Sequence, residues 1–299
     1  MPDLSYETVT AACQYPANRR LGRWRGASSE GGNVRTRVIV IGTAAALSSL
    51  LWTLAPAAQT QPGGNPERDP QESVPTGPAP RLPNGRPELT GVWQVPYVPD
   101  MTVTRGDQRG TAELPFTPWG LENWESYDPA DGDYTGSCMP FGFVRSINAP
   151  YPFQIMQSDT HVSLLFELNT WFHVIPVDGR DHPEDPNPTW FGHSVGRWDG
   201  DTLIVETLGF NGYTRLDTIG HPHSDELRLT QTFERTDAGH MEYTVTVDDP
   251  KAYTEPWTNE RTFTIFDGEL IEYSCQENNR SLWEGRIKQW FPPWWDGPR

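Results

Sequence analysis

The segment His221-Pro222-His223-Ser224-Asp225 is the strongest candidate for chemistry in this chain. Imidazole nitrogens and carboxylate oxygens are ligands for Zn, Cu, Ni or Fe. Side chains at i and i+2 of an extended stretch point the same way, and Pro222 restricts the backbone between the two histidines. We therefore predict that His221, His223 and Asp225 bind a divalent transition metal. The alternative is a surface turn whose polar residues cap the next strand.

A metal site on these residues needs a further ligand from elsewhere in the chain. His193 and His173 are the obvious donors, with Glu206 or Asp217 as additional carboxylates. His193 precedes a predicted strand, and its imidazole titrates near neutral pH, so it also suits proton transfer. We predict His193 as the third metal ligand, and His173 and His193 as catalytic groups. For His173, inside an apolar strand, the alternative is a hydrogen-bonded core residue.

Aromatic residues are the second chemical signal, since the chain has 13 Trp. Exposed aromatic side chains mark ligand or partner surfaces. Trp190 and Phe191 in a loop, with Trp171 on a strand, predict a site for a small apolar or aromatic molecule. The run Trp290-Phe291-Pro292-Pro293-Trp294-Trp295 predicts a C-terminal aromatic tail, either a lid over the domain or part of its packing.

Residues 35–57 have the order of a signal peptide. Arg35-Thr36-Arg37 precedes an apolar run, 38–54, and then Ala55-Pro56-Ala57, an A-x-A cleavage site. We interpret residues 1–34 as an over-extended gene start. A long genuine n-region is the alternative, as is an uncleaved anchor, although the apolar run is shorter than the roughly 20 residues that a spanning helix needs.

This leader predicts a periplasmic or secreted bacterial protein without a stable membrane span after cleavage. The chain carries a net charge of −17, which repels nucleic acid and excludes it as a partner. Cleavage would remove Cys13 and leave Cys138 and Cys275. Two cysteines in an oxidising compartment predict one disulfide between them.

The rest of the chain divides into a linker and one domain. Residues 58–88 are rich in Pro, Gly, Gln and charge, and predict a disordered linker. Residues 89–299 are enough for a single core. Alternation with period two predicts strands and hairpins there. The segments are 162–167 and 171–175, 195–198 and 202–207 around Asp199-Gly200-Asp201, 227–235 and 240–247, and 258–266 and 270–275. Helical periodicity is confined to 119–127 and 281–290.

Successive hairpins predict an all-β antiparallel meander. Closure into a barrel hides the edge strands of such a meander, and a two-sheet β-sandwich is the alternative. Thr90-Gly91-Val92-Trp93 resembles the G-x-W opening of lipocalin-type calycin barrels, in which the Trp plugs the closed end. The resemblance implies a lipocalin-like barrel with an interior cavity.

Three further segments resemble a family of secreted bacterial proteins that are mostly uncharacterised. They are Asn148-Ala149-Pro150-Tyr151-Pro152-Phe153, Trp190-Phe191-Gly192-His193-Ser194-Val195-Gly196 and His221-Pro222-His223-Ser224-Asp225. The resemblance would extend from about Leu82 to the C-terminus. It implies export and one β-rich domain, and it supplies no reaction.

Two functions follow from these features. The first is an exported β-barrel that holds a small apolar or aromatic ligand. The second is a metal-assisted or acid–base lyase, hydratase or isomerase that acts in the same cavity. Inward-pointing histidines favour the enzyme, and solvent-facing histidines favour the carrier. No P-loop, Rossmann or H-E-x-x-H motif occurs.

Overall fold

A computed structural model describes residues 74–277 and 279–293. The predicted gene-start extension, the signal peptide and most of the linker lie outside the described residues. Within them, no helix is long and apolar enough to cross a membrane.

The structure is mostly β, with 34% of residues in strands and 9% in helices. The strands are β1 (Gly91–Gln94), β2 (Gln108–Arg109), β3 (Phe153–Gln157), β4 (His161–Phe166), β5 (Phe172–Pro176), β6 (His193–Asp199), β7 (Thr202–Leu208), β8 (Arg228–Arg235), β9 (His240–Asp248) and β10 (Trp257–Phe266). The helices are α1 (Pro118–Glu125), α2 (Phe143–Asn148) and α3 (Arg280–Trp283), and a 3₁₀ turn covers Pro129–Asp131.

All the described strands belong to one antiparallel sheet. Its order is β5-β4-β3-β1-β10-β9-β8-β7-β6, and the short β2 pairs with β10 outside this path. β1 thus lies between β3 and β10, and the first long strand of the domain pairs with the last. The order confirms the antiparallel meander, and it excludes the two-sheet sandwich for these residues.

Turn chemistry explains the hairpins. The hairpin around Asp199-Gly200-Asp201 is present as β6–β7, with Asp199 paired to Thr202. Gly200 has φ of 59°, a left-handed conformation that glycine adopts without strain. The pairing of 227–235 with 240–247 is also confirmed, as β8 and β9.

The predicted strand at 270–275 is wrong, because this segment makes only an isolated bridge, between Tyr273 and Leu168. The reason is visible in its hydrogen bonds. Ile271 N donates to Glu167 Oε2 at 2.9 Å, and Cys275 N donates to Asn169 Oδ1 at 2.6 Å. Side chains from the end of β4 thus take the backbone donors that a hairpin would use.

The predicted closure into a lipocalin-like barrel is wrong, since no backbone ladder joins the described strands β5 and β6. These two edges nevertheless lie side by side. His173 Nε2 on β5 is 2.6 Å from Ser194 Oγ on β6. A Cβ placed on Gly196 of β6 would lie 3.0 Å from Ile175 Cγ2. We name this side-chain contact between the edges the β5–β6 seam.

Helix α2 lies inside the curve of the sheet, and all six of its residues are buried. The ring of Phe143 lies 4.3 Å from that of His173 on β5. At the other end of α2, Asn148 Oδ1 accepts a hydrogen bond from Arg261 on β10. The helix therefore occupies space that an open barrel would leave for a ligand.

The apolar part of the interior is also filled. The space bounded by residues such as Leu164, Leu203 and Phe233 has no room for a water molecule. Trp93 of the G-x-W segment is fully buried, and its Nε1 donates to Leu89 O at 2.9 Å. We find no apolar ligand cavity in this region, because side chains close it.

The predicted disulfide between Cys138 and Cys275 is confirmed, with the Cα atoms 5.6 Å apart. It links the segment before α2 to the segment after β10. Trp290 N donates to Ser137 Oγ at 2.8 Å, and Asn279 Nδ2 donates to Gly136 O at 2.9 Å. These contacts fix the C-terminal segment beside the start of α2.

Candidate functional site

The connection from β7 to β8, residues 209–227, carries a group of buried polar side chains. His221 and His223 are only 1% and 4% exposed. Thr214, Asp217 and Ser224 of the same connection are buried as well. The surface-turn alternative is therefore wrong. Buried polar groups need partners inside the protein, and those partners define the site.

His223 and Thr214 form a hydroxyl–imidazole pair. His223 Nδ1 lies 2.9 Å from the carbonyl oxygen of Ser224, which can only accept, so Nδ1 carries the proton. Nε2 is then an acceptor in neutral His223, and Thr214 Oγ1 donates to it across 2.5 Å. The Ser224 carbonyl thus fixes the tautomer and aims the imidazole lone pair at the Thr214 hydroxyl.

The surroundings keep His223 neutral. Burial lowers its pKa, because desolvation of the imidazolium outweighs the hydrogen bond to Ser224 and the favourable charges of Asp249 and Asp225. An unprotonated imidazole at neutral pH is available as a base.

Close packing places the Thr214 hydroxyl. Gly142, which precedes α2, has φ of 82° and lies directly against this side chain. A Cβ on Gly142 would be 2.7 Å from Thr214 Oγ1, so a larger residue would displace the hydroxyl. On the other side, Arg215 N donates to Tyr134 Oη at 3.1 Å. Both contacts restrict the position of Thr214.

A cleft of about 310 Å³ opens beside the pair, and Thr214 and His223 are part of its wall. This volume is at the lower end of the range for small-molecule pockets. The other side chains that matter for its chemistry are Trp119 and Asn123 of α1, Tyr213, Arg215, Asp225 and Lys251.

Asp249 holds one side of the cleft together. It is 1% exposed, and its carboxylate accepts hydrogen bonds from Ser224 N, Ser224 Oγ, Lys251 N and Ala252 N. Asp249 therefore fixes Ser224, whose carbonyl orients His223, and the backbone of Lys251.

His221 has a different partner from His223. Its Nδ1 lies 2.6 Å from Asp217 Oδ2, and Asp217 is completely buried. The same carboxylate accepts hydrogen bonds from Met101 N, Gly220 N and His221 N. The indole of Trp124 stacks on the His221 ring at 5.3 Å. Asp217 therefore orients His221 and ties the connection to the chain after β1.

Asp100, Asp217 and His221 are the one described group of His, Cys, Asp and Glu whose ligand atoms all lie within 4.8 Å of one another. Two ligands of a tetrahedral zinc ion, each about 2.0–2.1 Å from it, lie roughly 3.3 Å apart. The 2.6 Å between His221 Nδ1 and Asp217 Oδ2 is instead a hydrogen-bond distance. These two atoms therefore form a carboxylate–imidazole hydrogen bond.

The structure does not bring together the predicted metal ligands His193, His221, His223 and Asp225 in one group. His193 Nε2 hydrogen-bonds the Asn187 carbonyl at 2.8 Å. Asp225 is exposed and lies 3.8 Å from Lys251 Nζ. The physical reason is that Pro222 does not align the two histidines beside it, and each bonds a separate buried partner.

His173, predicted as catalytic, lies at the β5–β6 seam. Its Nε2 contacts Ser194 Oγ, which in turn lies 2.7 Å from Thr207 Oγ1. Burial, with the nearby charge of His193 second, lowers the pKa of His173 to about 4. This is the environment that the alternative, a hydrogen-bonded core histidine, requires.

The predicted ligand-binding aromatics pack against other rings. Trp190 lies 6.4 Å from Tyr134, 6.0 Å from Tyr213 and 6.1 Å from Trp290 between ring centroids. Phe191 contacts Trp171, at 6.0 Å, and the rings of α2 and β4. Trp290 of the tail therefore takes part in packing.

No protein-family model matches the chain, and no curated protein matches it. Both resemblances noted from the sequence therefore stay predictions, and the function rests on the geometry of the site.

Sequence reasoning missed Thr214, Arg215 and Lys251 at the cleft. Thr214 is nine positions before His223 in no known motif, and it resembles an ordinary loop threonine. Lys251 follows Asp249-Pro250, which indicates only a turn. Asp217 is the one carboxylate of the buried network that the sequence analysis names, as a possible metal ligand.

Proposed function

We propose that this protein is a hydrolase that transfers acyl groups to water, with Thr214 as the nucleophile and His223 as the base. The observation that carries the proposal is the 2.5 Å hydrogen bond from the Thr214 hydroxyl to Nε2 of neutral His223. A hydroxyl beside a base that a third group orients is the signature of nucleophilic catalysis. Here the third group is the Ser224 carbonyl.

The reaction would run in two steps. In the first, Thr214 Oγ1 bonds to the acyl carbon while its proton passes to His223 Nε2. The bond to the leaving oxygen breaks, and that oxygen takes the proton from His223. In the second, His223 removes a proton from water, and the water oxygen bonds to the acyl carbon. The bond from that carbon to Thr214 Oγ1 breaks, and a carboxylic acid is released. The proton returns to Thr214, so the enzyme is regenerated.

The cleft supports an enzyme better than a carrier of apolar ligands. Its wall combines the hydroxyl–imidazole pair with charged and amide side chains, whereas the described apolar interior is filled. The proposal replaces the lyase, hydratase or isomerase expected from the sequence with a hydrolase, and it keeps a histidine as the base. The residues change from His173 and His193 to His223, with Thr214 added.

The test uses p-nitrophenyl acetate, an activated ester that acylates reactive hydroxyl groups. The purified chain should release p-nitrophenol faster than buffer, and peptide mass spectrometry should find one acetyl group on Thr214. Thr214→Ser should retain acylation, because serine keeps the hydroxyl. Thr214→Val should abolish it, and His223→Gln should lower the rate by roughly a hundredfold or more.

Thr218→Val is the matched control, since Thr218 is exposed in the same connection. It should leave the rate unchanged. Acetylation at other residues with equal rates in wild type and Thr214→Val would overturn the proposal. Equal rates in wild type and His223→Gln would overturn the role of the base.

A further inference from the structure

The cleft has a local charge that is opposite to that of the chain. The chain has a net charge of −17, yet the described residues that line the cleft include two cations, Arg215 and Lys251, and one carboxylate, Asp225, with the buried Asp249 carboxylate behind Ser224. His223 adds no charge, because it is neutral. The lining of the cleft thus carries about one net positive charge.

Arg215 is the less satisfied of the two cations. Its guanidinium lies 4.8 Å above the ring of Tyr127, and among the described residues Nη1 reaches only the Asn123 carbonyl, at 3.4 Å. No described carboxylate forms an ion pair with it. A guanidinium keeps its charge at neutral pH and presents a planar fork of N–H donors. A half-buried fork without a carboxylate partner suits an incoming pair of oxygens.

Lys251 is held loosely enough to take part. Its Nζ lies 3.8 Å from Asp225 Oδ1, at the limit of an ion pair, and 5.0 Å from the ring of Trp119. Ion pairs as exposed as this one contribute little to the stability of the fold. An anion in the cleft would therefore compete well for the ammonium group.

We infer that the cleft binds a small monocarboxylate, with Arg215 as the bidentate donor and Lys251 as the second cation. One net positive charge matches a monoanion better than it matches a phosphate dianion. Trp119 and Tyr213 in the same wall supply ring faces for an apolar or aromatic remainder. This inference rests on the proposed function in one respect: it identifies the substrate as an ester that also carries a free carboxylate.

The test is binding of benzoate to the full chain by calorimetry. Benzamide serves as the neutral isostere, and inorganic phosphate as the other oxyanion. Benzoate should bind saturably, and benzamide and phosphate at least roughly tenfold more weakly. Arg215→Gln should weaken benzoate binding by roughly tenfold or more, the loss expected for charge-assisted hydrogen bonds.

Lys251→Gln is the second variant. The Lys251 side chain is 42% exposed, so this change should leave the fold intact while it weakens benzoate binding severalfold. Arg197→Gln is the control, because Arg197 is an exposed arginine on β6 that lies 3.6 Å from Glu206. It should bind benzoate like the wild type.

Equal binding of benzoate and benzamide would overturn the inference. So would unchanged benzoate affinity in both Arg215→Gln and Lys251→Gln, or tighter binding of phosphate than of benzoate. Thr214→Val separates this site from the proposed reaction, since it should still bind benzoate. Benzoate binding without acetylation of Thr214 would retain the carboxylate site and remove the hydrolase. Acetylation of Thr214 without benzoate binding would retain the hydrolase and remove the carboxylate site.

Discussion

His173→Gln should remove one contribution to the acid sensitivity of folding. In the folded protein burial lowers the pKa of His173 from 6.5 to about 4. Between these values the unfolded chain binds a proton at this position and the folded chain does not. The free energy of unfolding therefore falls as the pH drops from about 6.5 to about 4, and it is unaffected by this group above that window.

The magnitude follows from the size of the shift. One pKa unit corresponds to about 1.36 kcal/mol, so the shift of His173 costs about 3 kcal/mol of stability by pH 4. No discount for solvent is needed, because His173 is only 7% exposed. Glutamine does not titrate, and its amide can still hydrogen-bond Ser194 across the seam.

The assay is urea unfolding of both proteins at pH 7 and at pH 4. The wild type should lose about 3 kcal/mol more between the two pH values than His173→Gln loses. His161→Gln is the control, since His161 on β4 is only partly buried, and it should follow the wild type. Equal losses in wild type and His173→Gln would refute the reasoning, as would an NMR titration of His173 near 6.5.

Four further outcomes are expected. Cys275→Ser should lower the free energy of unfolding in urea by at most roughly 4–5 kcal/mol, and unchanged stability would contradict this. Asp217→Ala should lower it by about 3 kcal/mol or more, because three backbone donors and an imidazole lose their acceptor, and a loss under about 1 kcal/mol would contradict that role. Gly142→Ala should slow acetylation by p-nitrophenyl acetate, whereas Gly179→Ala, with a similar φ and open space around it, should not; equal rates in both would contradict the packing argument. Intact-mass measurement of periplasmic protein should find a mature N-terminus at Ala58, and a retained 35–54 segment would refute cleavage.

The sequence predicted the local structure well where a short pattern decides it. Asp199-Gly200-Asp201 between alternating strands specifies a hairpin by turn chemistry alone. The Cys138–Cys275 bond was predicted by counting, because the predicted cleavage removes Cys13 and leaves two cysteines. The segment from His221 to Asp225 was predicted as the candidate site because two imidazoles in five residues are conspicuous, and it supplies His223 to the proposed site.

Long-range contacts account for the failures. Whether β5 pairs with β6 depends on how far the sheet curls around α2, and no residue of either strand encodes that. The buried position of α2 was unpredicted, because a helix of six residues is too short for a helical period to stand out. Thr214 meets His223 only through the path of the chain between them, and the direction of each imidazole depends on Asp217 and Ser224.

The pairing of β1 with β10 determines when the chain can fold. Trp93 of β1 is paired with Ile265 of β10, so the centre of the sheet joins strands from the two ends of the domain. The ribosome releases residues in order from the N-terminus. The central pairing of β1 with β10 therefore cannot form until β10 has been synthesised. Contacts of such high sequence separation form slowly. The Cys138–Cys275 bond adds a second long-range link, because it cannot form until the segment after β10 has been made.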